Sequence, residues 1–296
     1  MGRRLAGFFH GRPRLQVGGL LAAPAAWLVI GYLGSLAVLL ISAFWTVDPL
    51  SGEVVKGFSL ENFESLINEP VYRSIIGRTV LIAAAVTLTD ALIALPIAFY
   101  MAKVASHRGK ALLIVGVLLP LWSSYLVKVL AWRTMLSEDG VINWALNPFG
   151  LDGPGYGITA VWLVASYLWL PYMILPIYAG LERIPNSLIS ASEDLGAHPL
   201  TTFRRVILPL AGPGVLAAAL YAFTQAWNEF LYALVFITNA KLRTLPVGLS
   251  GFITGDVYGW GYLMAGAVLT TLPVIAVYIY LQKYMVEGLT AGSVKG

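Results

Sequence analysis

The sequence contains no cysteine, only three histidines, and charged side chains at 11% of its 296 positions. Without cysteine, disulfide frameworks, thiolate catalysis and cysteine-ligated metal sites are excluded. The scarcity of charge excludes an ordinary water-soluble domain, in which about a quarter of the residues carry charge. Disorder is excluded too, because 58% of the residues are hydrophobic and the mean hydropathy is +0.77. A chain that apolar must find somewhere to put its side chains. No Lys is followed by Ser or Thr, so the Gly-x-x-x-x-Gly-Lys-Ser/Thr loop that cradles nucleotide phosphates is missing. The 30 Gly and 16 Pro show no collagen period. What these absences leave is a polytopic membrane protein, in which no catalytic residue, metal ligand or cofactor is expected.

Crossing a bilayer takes about 20 mostly apolar residues. Six runs of that kind occur, near 18–45, 79–102, 111–132, 157–181, 211–237 and 259–282. They are continuously apolar, whereas the strands of a membrane β-barrel alternate. Six transmembrane helices are therefore predicted. With the N-terminus inside, the cytoplasmic side collects Arg3, Arg4, Arg12, Arg14, Lys103, Arg108, Lys110, Arg183, Arg204, Arg205, Lys283 and Lys295. The other side collects Asp48, Glu53, Glu61, Glu64, Glu69, Glu138, Asp139, Asp152 and Asp256. By the positive-inside rule both termini are cytoplasmic. The net charge of +4 is dispersed next to spans rather than gathered on one face, so topology accounts for it and nucleic acid does not. The first apolar run is too long for a signal-peptide core and is read as an uncleaved span. One membrane domain covers 1–296, with a cytoplasmic segment 1–17, core spans 79–282, a distinctive loop 182–209 and a cytoplasmic tail 283–296.

In the outer loop after span one, Ser59 has the position of an N-cap, and Leu60, Phe63 and Ile67 fall on one helical face. The 182–209 loop differs from every other connection. A short helix can start at Pro185 and stop at Gly196, a C′ glycine. A second starts near Pro199 and carries Leu200, Phe203 and Ile207 in one stripe, with Arg204 and Arg205 off that stripe. From these residues alone, two occupants of the apolar face stand level: the lipid headgroup layer and a groove on a soluble partner.

Within the spans, ionisable residues are functional candidates because burying them in lipid costs several kcal/mol unless paired. Asp90 in span two and Glu229 in span five qualify, with the plainer alternative that they pair with cations or serve helix packing. Trp122, Tyr125, Trp227 and Asn228 join them as substrate-pathway candidates. Most aromatics are expected to form interface belts, although some can face a sugar ring or a cation.

At the 182–209 loop the sequence resembles a known family. Ser190-Ala191-Ser192, three residues, Gly196, nine residues, then Val206, Leu208 and Pro209 match the spacing of the EAA loop in permease subunits of binding-protein-dependent ABC importers. One position departs: Ser190 stands where the family has an acid, and Glu193 lies one turn later. The resemblance implies a coupling helix that sits in a cleft of a separate ATPase, with Ser190, Ala191, Ser192, Glu193, Gly196, Phe203, Arg204, Arg205, Leu208 and Pro209 forming the coupling surface. It also implies two ATPase subunits that bind ATP and Mg, a second and homologous permease, an extracytoplasmic solute-binding protein, and a bacterial or archaeal inner membrane. An ion-coupled secondary transporter is the competing class, disfavoured because the spans show no internal repeat.

The resemblance divides on substrate. Pro120-Leu121-Trp122-Ser123-Ser124-Tyr125-Leu126-Val127, Ala131-Trp132 and Asp194-Leu195-Gly196-Ala197 look like spermidine/putrescine permeases. Trp227-Asn228-Glu229-Phe230-Leu231, Arg243-Thr244-Leu245-Pro246-Val247-Gly248-Leu249 and the ending 288–296 look like maltose-type sugar permeases. The reading favours a sugar, with a polyamine as the alternative.

Overall fold

The structure, a computed structural model, describes residues 13–48, 51–254 and 257–291, with side chains described within 17–48, 51–252 and 259–282. The Arg3, Arg4, Arg12, Asp256 and Lys295 assignments, and much of the sugar-like ending, lie outside the described residues. The chain forms two compact units, one of residues 1–68 and 252–268, the other of 69–251 and 269–296.

In the first unit, α1 (Pro13–Ala26) widens into π-helical Trp27–Leu33 and continues as α2 (Gly34–Ser42). Together they give a 26-residue apolar span, Val17–Ser42, whose large side chains are mostly exposed, as befits a helix bathed in lipid. A two-residue hairpin pairs β1 (Thr46–Val47) with β2 (Val54–Val55). Then comes α3 (Glu61–Asn68), with the Ser59 hydroxyl accepting from the Glu61 amide at 3.2 Å. The buried side of α3 is not the one its apolar spacing predicts. Leu60 and Ile67 are exposed, and Asn62 and Leu66 are buried. The cause is polar: the Asn62 amide donates to the Ala43 carbonyl at 2.9 Å and the Trp45 carbonyl at 2.8 Å, satisfying acceptors just past the end of α2. Gly261 packs at the same place, where a Cβ would collide with the Trp45 carbonyl and the Asn62 amide.

In the second unit, α4 (Pro70–Phe99) ends in a π-helical turn, Tyr100–Val104. It is followed by α5 (His107–Trp122), α6 (Tyr125–Met135), α7 (Val141–Leu146) and α8 (Ile158–Glu182). Next are α9 (Asn186–Asp194), α10 (Pro199–Thr202), a π-helical stretch Phe203–Ile207, α11 (Leu208–Trp227), α12 (Leu231–Phe236) and α13 (Leu245–Ser250). A small hairpin, β3 (Ile253–Thr254) with β4 (Val257–Tyr258), leads into α14 (Trp260–Ala291), which begins in the first unit and ends in the second. The core is the mutual packing of α4, α8 and α11. Ala83, Ala94 and Ala98 on α4, Ala160 and Ala165 on α8, and Ala211, Ala218 and Ala222 on α11 are all buried. Small side chains let helix backbones approach closely where lipid supplies no hydrophobic drive between helices.

Five described helices are long and apolar enough to cross a membrane, and a bent pair makes a sixth. The expected third span is that pair. α5 and α6 meet at 94° across Ser123 and Ser124, both extended. Pro120 weakens the last turn of α5, and its carbonyl is taken up by the Ser123 hydroxyl at 3.0 Å and the Lys128 ammonium at 3.2 Å. The expected fifth span also stops early. α11 ends at Trp227, and Asn228 folds its amide back onto the Thr224 carbonyl at 2.8 Å. At its other end this span reaches back to Pro199, so the second helix of the 182–209 loop runs unbroken into the membrane helix.

Replacing Asn62 by Leu removes both donors to the α2 end. It is expected to destabilise the protein by about 1–3 kcal/mol, read as a lowered unfolding midpoint in detergent, while Leu60→Ser at the exposed neighbour leaves the midpoint nearly unchanged.

Candidate functional site

The 182–209 loop is built around one residue. Gly196 has φ +76°, the left-handed region, and nothing lies within 4 Å of a Cβ built there. The demand for glycine is therefore conformational rather than steric. The Ala197 amide donates to the Ser192 carbonyl at 3.1 Å and the Gly196 amide to the Glu193 carbonyl at 2.8 Å. This is the Schellman closure of a helix end. The chain then restarts at once: His198 caps α10 through Nδ1, accepting from the Leu200 amide at 3.4 Å, and Pro199 takes the first helical position. A hydroxyl pair, Ser192 with Thr202 at 3.0 Å, fastens the two arms.

The arms have opposite characters. Leu195, 88% exposed, and Leu200, 68% exposed, stand at the elbow without cover, and Leu188 is exposed beside them. Ser190, Ala191, Glu193, Arg204, Arg205 and Pro209 are exposed as well, Ser192 and Leu208 half-buried. On the inner side Ile207 is buried, and the Phe203 ring meets Phe99 edge-on with centroids 5.7 Å apart. The expected stripe Leu200, Phe203, Ile207 is thus divided, because the helix widens to π geometry over Phe203–Ile207 and the α-helical register no longer holds.

Of the pathway candidates, the structure joins two directly. The Tyr125 hydroxyl lies 2.6 Å from Oε1 and 2.7 Å from Oε2 of Glu229, and the Tyr232 amide donates to Oε1 at 3.1 Å. Glu229 is 5% exposed. Tyr125 begins α6 just after the Ser123–Ser124 break, and Glu229 lies in the break between α11 and α12, so this hydrogen bond ties one interrupted helix to another. Irregular backbone at membrane depth is tolerated only where protein or water satisfies it, and here a carboxylate serves both breaks. Lys128 is held near by the Tyr125 ring, with its ammonium 6.0 Å from the centroid. The other candidates go elsewhere. Trp227 is buried with its indole N–H donating to the Thr270 carbonyl at 3.2 Å, Asn228 bonds Thr224, and Trp122 is 84% exposed. Asp90 is fully buried on α4, and neither carboxylate oxygen makes a hydrogen bond to a described residue. Sequence reasoning missed Tyr232, whose signal was its place three residues after Glu229, the spacing of a side chain that caps a helix start.

Between α8 and α11 lies an apolar depression of about 300 Å³, lined by Tyr172, Pro176, Ala217, Ala218 and Tyr221. Its two tyrosine rings lie 5.2 Å apart, and Trp169 packs 5.8 Å from Tyr172.

A set of lipid-length helices with a helix–glycine–helix elbow on one connection defines an integral membrane protein of the all-α class. Residues 74–290 match the family described as binding-protein-dependent transport system inner membrane component, and the chain belongs to it. It is 38% identical to the inner membrane ABC transporter permease protein YdcU of Escherichia coli, over 94% of this chain and 91% of that protein. It is 30% identical to the spermidine/putrescine transport system permease protein PotB of Haemophilus influenzae, over 86% of this chain and 89% of that one. It is 29% identical to the trehalose/maltose transport system permease protein MalG of Thermococcus litoralis, over 91% of this chain and 96% of that one. A crystal structure of a bacterial ABC transporter that imports the acidic polysaccharide alginate has a chain of the same fold. The TM-score is 0.73 at 17% identity, over 96% of this chain and 99% of the other. The chain is thus an ABC transporter permease, an integral membrane protein.

Tyr125→Phe leaves a buried carboxylate without its side-chain donor. A double-mutant cycle with Glu229→Leu is expected to give a coupling of about 1–3 kcal/mol between the two side chains, measured from unfolding midpoints in detergent.

Proposed function

We propose that this chain is one of two permease subunits of an ATP-driven importer, forming half of the solute pathway as a single transmembrane domain. It has no ATP site; ATP and Mg bind to two separate ATPase subunits, which dock on the 182–209 loop. The second permease is a homologue rather than a copy. A solute-binding protein outside the inner membrane delivers the solute to the loops that carry most of the acids, and both termini face the cytoplasm. The observation that carries this reading is the loop itself: a left-handed Gly196 elbow flanked by exposed Leu188, Leu195 and Leu200. Exposed leucines on a short rigid helix pair suit insertion into a groove of a partner, and the arms continue into α8 and α11, so a push on the elbow reaches the spans directly.

For the solute, a sugar is supported by the similarity to the trehalose/maltose permease over 91% of this chain and 96% of that one, and by the aromatic faces of Trp169, Tyr172 and Tyr221 around the α8–α11 depression. A second reading, a polyamine, is favoured by one observation. Glu229 is buried, with a phenol and a backbone amide as partners and no ammonium or guanidinium among its hydrogen bonds, an arrangement that an ammonium-bearing solute would complement.

Two outcomes are expected. Gly196→Val forces a β-branched residue into positive φ and is expected to abolish ATP-driven uptake while the subunit still reaches the membrane at normal abundance; retained uptake overturns the docking assignment. Maltose, trehalose, spermidine and putrescine, each tested against the cognate binding protein, are expected to give one class of thermal shift, a ligand at a hundred times its Kd stabilising by about 2.7 kcal/mol. A shift with the saccharides alone supports the first reading, and one with the amines alone replaces it by the second.

A further inference from the structure

Two lysines flank the turn between α4 and α5, Lys103 before it and Lys110 in the first turn of α5, and both have specific partners besides their place on the cytoplasmic side. Lys103 lies in the π-helical turn Tyr100–Val104, and its ammonium donates to the Ile184 carbonyl at 2.6 Å and to Asn186 Oδ1 at 3.2 Å. Ile184 follows the end of α8, and Asn186 is the first residue of α9, so one cation spans the corner where the membrane helix hands over to the elbow. Seven residues on, Lys110 pairs with Glu182 at the end of α8 at 2.7 Å, and its ammonium sits 5.6 Å from the Tyr178 ring centroid. Between them Ser106 caps α5, accepting from the Gly109 amide at 3.2 Å, which stiffens the turn. An exposed ion pair alone contributes little to stability. Two cations from one stiff turn, fixed to successive points of one corner, set direction instead. The same turn of α4 reaches the other arm through Phe99 against Phe203.

We infer that Lys103 and Lys110 are positioning residues that clamp the elbow to α4 and α5, so that movement of the loop drives these two helices as well as α8 and α11. The inference rests on the reading of the 182–209 loop as the ATPase docking element. Covalent continuity joins the loop to α8 and α11, and α4 follows through its packing on them; the lysines add a direct link from the first arm of the loop to the start of α5. With the clamp, the α4–α5 turn and the first arm of the loop travel as one body. The π-helical turn is what permits this, since a widened turn re-aims a side chain that regular α-helix would direct elsewhere.

The test uses the assembled transporter with its other subunits made cysteine-free. This chain has no cysteine, so spin labels at His107→Cys and Ser187→Cys, both exposed positions, report one distance. The clamp predicts the same narrow distance without nucleotide and with ATP plus vanadate. In the Lys103→Met/Lys110→Met variant the two conditions are expected to differ by several ångström, and Lys103→Arg/Lys110→Arg is expected to restore a single distance. A distance that changes with nucleotide in the unmodified clamp, or that stays constant without the lysines, overturns the inference. Should the double Met variant fail to assemble, charge reversal decides: Lys110→Glu alone is expected to make the distance nucleotide-dependent, and Lys110→Glu with Glu182→Lys to abolish that dependence, whereas equal behaviour of the two overturns the clamp. A label at Leu195→Cys serves the other assignment. If it is not immobilised when the ATPase subunits are added, the docking assignment fails, whatever the 107–187 distance shows.

Discussion

In the absence of water, every backbone amide and carbonyl inside a bilayer must find a partner within the protein, and the second unit is organised by how it meets that constraint. Along α4, α8 and α11 the helical ladders serve most backbone groups, and alanines at their contacts bring the backbones together. Where helices stop, side chains take over. The Pro120 carbonyl is shared by Ser123 and Lys128, the Thr224 carbonyl is taken by Asn228, and the Tyr232 amide is taken by Glu229. Ser123, Lys128, Asn228 and Glu229, polar residues in apolar runs, each serve a break.

The junction of two breaks is the polar centre that results. A carboxylate in this setting is costly unless its oxygens are occupied, and the Tyr125 hydroxyl contacts both. The same feature makes Glu229 a structural strut, because the phenol and the Tyr232 amide that occupy its oxygens come from the starts of two separate helices. Asp90 is different. It is fully buried on α4, as Val86 and Ala94 one turn to either side are, and lies at no helix break.

The loop works by the opposite principle. Outside the apolar spans, backbone groups have water as an alternative, and the elbow is nonetheless fully closed by its Schellman bonds and the Ser192–Thr202 pair. The elbow is thus a stiff element that leaves Leu195 and Leu200 uncovered. Its two arms, its glycine and its arginines were all legible from spacing. The lysines that brace it were counted only as charges on one side of the membrane, because the 81 and 72 residues separating them from Ile184 and Glu182 carry no pattern.

By itself the sequence determined the class of protein, the number of apolar spans and the place of the elbow, since these depend on run length, local propensity and the backbone freedom of one glycine. The burial of Asn62 on α3 had no signal in the sequence, because apolar periodicity is blind to an asparagine that caps a distant helix end. The third span was drawn as one helix because hydropathy records composition and not direction, and only packing decides that Ser123 and Ser124 turn the chain by 94°. The pairing of Tyr125 with Glu229, 104 residues apart, and the clamp on α9 belong to tertiary structure alone. Such contacts exist only once separate helices have packed, and nothing local in the chain encodes which side chain will be waiting on the other side.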